Sequence, residues 1–123
     1  MRLAAIALLA ALAVTPALTV TKALAADPIP ATQATQHVGE TATVVGVLNG
    51  YRFRGPKRPS YLNIDGEYPN NAFTAVIFAG DAGKFPNMKP LLGKTLAITG
   101  TIELHDGKPE IVLKDISQVQ VAQ

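Results

Sequence analysis

The sequence predicts an all-β fold: a small five-stranded Greek-key barrel with a short N-terminal helix and a short helical connector between its third and fourth strands. Three observations predict it. Thr95 to Leu104 (TLAITGTIEL) alternates between an apolar and a polar side with period two. Further short runs rich in Val, Ile, Thr and aromatics follow one another, punctuated by Gly, Pro and Asn. The long intervening segment Asp81 to Leu92 (DAGKFPNMKPLL) carries Pro86 and Pro90, which no long helix survives.

Residues 1–25 read as an export leader. Arg2 is a short positive start, Leu3 to Val14 is an apolar run, Pro16 breaks it, and Ala23-Leu24-Ala25 supplies small residues before a cut at Ala26. The apolar run is short of the roughly 20 residues a membrane span needs, so no anchor is expected after cleavage. The expected location is periplasmic or secreted.

The leader also changes the charge. The whole chain has 11 basic and 9 acidic residues, and its pI is about 9.0. Arg2 and Lys22 belong to the leader, which leaves nine basic against nine acidic residues. Global steering toward a polyanion is therefore excluded, and only local patches count. With no Cys, the chain has no disulfide, no thiolate metal ligand and no Cys nucleophile.

After the leader, residues 26–35 read as a linker and N-terminal segment. Pro28 and Pro30 extend it and oppose regular pairing. Ala31 to Val38 forms about two helical turns with Ala31, Ala34 and Val38 on one side, ended by Gly39. Thr41 to Phe53 is the first strand, and Gly46 within it marks a bulge or bend. Arg54 to Pro59 is a loop. Ser60 to Asp65 is the second strand, with Leu62 and Ile64 on one side and Tyr61 and Asn63 on the other. Gly66 to Asn71 turns, and Phe73 to Ala79 is the third strand. The connector should cover the core with Phe85, Met88, Leu91 and Leu92.

Thr95 to Leu104 is the fourth strand, with Leu96, Ile98, Gly100, Ile102 and Leu104 inward. Asp106-Gly107 is a hairpin signal. Glu110 to Leu113 returns as the fifth strand, and Ser117 to Val121 extends the sheet edge. This order, with its bent first strand, is that of the OB-fold, a partly open five-stranded barrel, here over residues 36–123.

A resemblance runs over residues 36–121. It is carried by His37-Val38-Gly39-Glu40, Thr43-Val44-Val45-Gly46-Val47, Leu62-Asn63-Ile64, Tyr68-Pro69 and Phe73-Thr74-Ala75-Val76-Ile77-Phe78. Gly93-Lys94-Thr95-Leu96, Thr99-Gly100-Thr101-Ile102, Gly107-Lys108-Pro109-Glu110-Ile111 and Ser117-Gln118-Val119 complete it. The chain resembles small exported bacterial OB-fold proteins with a nucleic-acid-binding, tRNA-anticodon-like OB module. It is more loosely similar to the periplasmic BOF family. The resemblance implies the fold more specifically than any ligand.

The densest chemical feature is Arg52-Phe53-Arg54-Gly55-Pro56-Lys57-Arg58, four of the nine non-leader basic residues within seven positions. In an OB-fold this stretch and the loop around His105, Asp106 and Lys108 flank the ligand groove. The face between them should present Tyr61, Asn63, Thr74, Val76 and Phe78. Guanidiniums grip phosphates and rings stack on bases. Arg52, Arg54, Lys57, Arg58, Tyr61, Asn63, Phe78, His105 and Lys108 are thus the candidate ligand-binding residues. The expected partner is single-stranded nucleic acid or another anionic oligomer. The alternative is a periplasmic protein, docked by a protein-interaction or stress-tolerance module.

No catalytic residue, metal site or cofactor is expected. His37 and His105 lack ligand spacing. Asp65 and Glu67 read as turn carboxylates rather than the acids of a nuclease, and no glycine-rich phosphate loop is present.

Overall fold

Alternation along the chain builds the walls of a ring. The computed structural model describes residues 27–122; the leader assigned to residues 1–25 lies outside them. Seven strands form: β1 (Ile29–Pro30), β2 (Thr41–Arg52), β3 (Ser60–Ile64), β4 (Phe73–Ile77), β5 (Thr95–His105), β6 (Lys108–Leu113) and β7 (Val119–Val121). They join in the order β1-β2-β3-β4-β6-β5-β7, and a further β2–β5 pairing closes a barrel-like circuit through β2, β3, β4, β6 and β5. Pairings within the circuit are antiparallel except β4 with β6, which is parallel.

The long strands serve two neighbours in turn. β2 pairs with β5 over Thr41–Val47 and with β3 over Leu48–Arg52. The expected bend therefore falls beyond Gly46, at a register shift between Leu48 and Gly50. Gly46 has a different role. A Cβ there would collide with the Ile64 side chain, so its missing side chain admits Ile64 to the interior. Asp65 locks the crossover. Its backbone N–H donates to Val47 O at 2.8 Å, and its Oδ1 accepts the Val47 N–H at 2.9 Å.

The interior is filled by Val44, Leu48, Leu62, Ile64, Phe73, Ile77, Leu96, Ile98, Ile102, Ile111 and Leu113, all essentially buried. Met88 plugs it from the connector, which forms two short 3-10 turns (Ala79–Lys84 and Lys89–Leu91) around its prolines. Phe85 and Leu91 pack against it, whereas Leu92 is exposed at the end of the second turn.

Four further expectations are corrected. The stretch read as a linker does more than link: Ile29 and Pro30 pair in parallel with Val44 and Val45, and Ile29, Ala31 and Ala34 enter the core. Two residues at a sheet edge tolerate the missing Pro N–H. The helix at Ala31–His37 is of the 3-10 type. Its period of three aligns Ala31, Ala34 and His37, so Val38 turns out to solvent. Leu104 is exposed because β5 runs past the ring into a hairpin arm opposite Pro109. Val76, expected outward, is 2% exposed; its ladder partners Tyr61 and Val112 cover it from both sides.

β7 supplies the expected edge extension, pairing with Leu96–Ile98 of β5. Asp115 caps the 3-10 turn before it (Ile116–Gln118), accepting from the Ser117 N–H at 2.9 Å, while Gln118 Oε1 accepts from the Asp115 N–H at 3.0 Å. Among the described residues, no helix is long and apolar enough to cross a membrane.

Candidate functional site

The end of β2 distributes two chemistries to two sides. Arg52 and Arg54 line one cavity of about 360 Å3. Tyr51 and Phe53 line another of about 600 Å3. This is strand alternation carried past the register shift into the loop.

The smaller cavity is a groove assembled from five parts of the chain. β2 and its loop give Arg52 and Arg54, and β3 gives Tyr61 and Asn63. The turn between β3 and β4 gives Tyr68, Pro69 and Asn71, and β4 gives Thr74. The β5–β6 hairpin gives His105, Asp106, Lys108, Pro109 and Glu110. Register explains the convergence: Arg52 sits opposite Tyr61, Asn63 opposite Thr74, and Thr74 opposite Glu110.

Contacts tie the rim together. The Arg52 guanidinium lies 5.4 Å from the centroid of the Tyr68 ring. Lys108 Nζ donates to Pro69 O, joining the hairpin to the turn. His105 Nε2 lies 3.4 Å from Asp106 Oδ2 at the exposed hairpin tip. Asn71 Nδ2 donates to Phe73 O at 2.8 Å and to Thr74 Oγ1 at 2.7 Å. Its Oδ1 is buried and has no hydrogen-bond partner.

Two guanidiniums and an ammonium thus face the carboxylates of Asp106 and Glu110. Burial pushes the Glu110 carboxyl above its ordinary value; the His105 charge opposes this, and Glu103 and Asp106 add to it.

Of the residues singled out from the sequence, Arg52, Arg54, Tyr61, Asn63, His105 and Lys108 come together in the groove. Lys57 and Arg58 are exposed in the loop and line neither cavity. Phe78, placed on the same face in the sequence reading, leaves the strand as the cap of the following 3-10 turn, 48% exposed and lining neither cavity. The N-terminal 3-10 helix packs against β1, β2, β4, β5 and β6 and also lines neither. Sequence reasoning missed Tyr68, Asn71 and Glu110. The first two sit in a segment read only as a turn, and an aromatic followed by Pro beside a predicted groove strand was the available signal.

The larger cavity lies on the other side of the β2 end, against the connector. Tyr51 and Phe53 stand with ring planes 13° apart and centroids 6.4 Å apart, and Pro56, Phe85, Pro86, Ser60, Asn87 and Lys89 complete the lining with others. Among the described residues no three His, Cys, Asp or Glu side chains gather into a metal-binding group.

Among solved structures, 85 chains are similar to this one. One is a Leishmania major Friedlin chain described as a "putative aspartyl-tRNA synthetase". It matches with a TM-score of 0.55 at 10% identity, over 87% of this chain. The fold is OB-like. At that identity the likeness concerns fold alone, and this chain spans only 22% of that neighbour. No family model and no curated protein matches the sequence. The OB-like ring places the groove beside the first inter-strand loop and the hairpin of its last two strands. Chemically, its rim offers bidentate donors for phosphate and ring faces for stacking.

Proposed function

We propose that the domain is an OB-fold barrel that binds single-stranded nucleic acid, or a related anionic oligomer, in the groove between Arg52–Arg54 and the His105–Lys108 hairpin. The observation that carries this reading is the convergence of Arg52, Arg54 and Lys108 with Tyr61 and Tyr68 in one groove. The cations take phosphates and the rings take base faces. A single strand suits the site because stacking needs bases freed from a duplex. The reading includes export, with residues 1–25 removed and no anchor left. It assigns the groove to binding, with no catalytic residue and no cofactor.

Fluorescence anisotropy with labelled oligonucleotides tests it. Binding should appear at about 50 mM salt, weaken as salt rises, and favour single strands over duplex. Absence of binding at low salt overturns it.

The larger cavity supports a second reading, docking of a periplasmic protein partner. Phe53 stands 54% exposed beside Tyr51, Pro56 and Pro86. Capture of one saturable partner that survives high salt, abolished by Phe53→Ala, would favour it over the first.

A further inference from the structure

Asn63 lies on the floor of the groove, and its amide has no hydrogen-bond partner among the described residues. Parity on β3 sets its direction. Leu62 and Ile64 are fully buried on the inner side, and Asn63 stands with Tyr61 on the outer side, in the groove. Its ladder partners are Gly50 and Thr74. A Cβ at Gly50 would lie 3.1 Å from Asn63 Nδ2, so the bare glycine gives the amide its room. The nearby polar groups are engaged elsewhere: Asn71 donates to the Thr74 hydroxyl, and Lys108 Nζ turns to Pro69 O. Asn63 is only 7% exposed, yet its amide is not sealed off. Among the described residues, the buried side-chain polar atom without a partner is Asn71 Oδ1. Asn63 Oδ1 and Nδ2, equally without partners, are therefore open to the groove.

We infer that Asn63 reads the edge of a nucleobase stacked on Tyr61, with Nδ2 donating to a ring acceptor and Oδ1 accepting from the N–H beside it. This rests on the reading of the groove as a nucleic-acid site and names what that site recognises, the base rather than the backbone charge. Side chains two residues apart on one strand face are about 7 Å apart, so a base lying against the Tyr61 ring brings its edge to Asn63. A carboxamide offers a donor and an acceptor side by side, as the pairing edge of a base does. A phosphate only accepts, so it satisfies Nδ2 and leaves Oδ1 unpaired. Stacking on Tyr61 holds any flat ring, and Asn63 adds the in-plane contact that stacking lacks.

The test crosses two ligands with two proteins. The ligands are labelled single strands of equal length at low salt. One carries adenine at each position. The other carries unsubstituted purine, which stacks similarly and keeps the ring acceptors but lacks the amino hydrogens. The proteins are the natural chain and Asn63→Leu, which removes the amide at similar size and strands no partner within the domain. The natural chain should bind the adenine strand about tenfold more tightly, the scale of one lost base contact. Asn63→Leu should bind the two strands alike. Equal affinity of the natural chain for both strands overturns the inference, whether or not the variant folds, and leaves nucleic-acid binding standing. A preference that survives in Asn63→Leu also overturns it and assigns the contact to another residue. Failure of both strands to bind the natural chain overturns the function itself, and this inference with it.

Discussion

Arg52 and Tyr68 come from segments joined by no strand pairing, yet the guanidinium of one lies 5.4 Å from the ring centroid of the other. The contact spans the mouth of the groove. At an exposed site such a pair contributes about 0.5–1 kcal/mol, enough to orient the guanidinium and too little to hold the fold.

Arg52→Gln should therefore weaken oligonucleotide binding while lowering the melting temperature by only a few degrees. Losing one phosphate contact on a single strand should reduce the slope of log affinity against log salt by about 0.7. Lys57→Gln and Arg58→Gln, outside the groove, should leave the slope unchanged. Equal loss in all three variants would mean that the loop acts as a diffuse positive patch.

Tyr61→Ala should cost about 1–3 kcal/mol of binding, the value of one base stacked on an aromatic face. The salt slope should stay as it is, since no charge is removed. A change in slope in place of affinity would show that Tyr61 positions the arginines rather than stacking.

Glu110 links the groove to pH. Its carboxyl is raised above the ordinary 4.5 by burial, so the folded chain holds that proton more tightly than the unfolded chain. Stability is then greatest below the ordinary value. It falls as pH rises through the raised value, and the loss is complete above it. Glu110→Gln should be more stable than the parent at pH 7, and the difference should vanish near pH 4. Thermal melts at the two pH values check this, and a difference independent of pH would assign it to packing.

The strands were legible because a half-buried wall imposes period two, and Leu96, Ile98 and Ile102 display it openly. The hairpin was legible from Asp106-Gly107, both of which adopt positive φ. Three things were not. A 3-10 period at Ala31–His37 looks the same in sequence as a short α-turn, which is why Val38 is expected on the side of Ala31 and Ala34. The exposure of Leu104 depends on where the ring ends, which no local pattern encodes. Tyr68 and Asn71 belong to the groove because a turn folds across the mouth, a long-range event invisible to spacing. The basic cluster reads as one unit in sequence, whereas the turn closed by the Arg58 N–H on Gly55 O carries Lys57 and Arg58 away from the groove that Arg52 and Arg54 line.

Gly46→Ala should destabilise the domain by about 1–3 kcal/mol, because the added methyl must displace Ile64 from a full interior. Gly80→Ala is the control, with open space around the new Cβ. It should change stability by no more than about 0.5 kcal/mol. Denaturant titration of both variants separates lost backbone freedom from lost space.

Ser117 holds the Asp115 carboxyl below its ordinary range by hydrogen bonds from its hydroxyl and its backbone N–H. Ser117→Ala should move the Asp115 titration upward, read by carboxylate NMR. The stability this carboxylate supplies is present above the ordinary range and is lost as pH falls through the lowered value. The variant should therefore differ from the parent at neutral pH and match it in strong acid.

The alternation at the end of β2 makes that stretch behave like a reading frame. Guanidiniums face the groove and rings face the larger cavity only because each residue holds its parity. Inserting or deleting one residue between the register shift and Arg54 would exchange the two sets, putting aromatic rings toward the hairpin and charges against the connector. Composition would be nearly unchanged and both cavities would be rewritten together. The spacing of Tyr51, Arg52, Phe53 and Arg54 from the crossover at Leu48 is thus as much a determinant of what each cavity offers as the residues themselves.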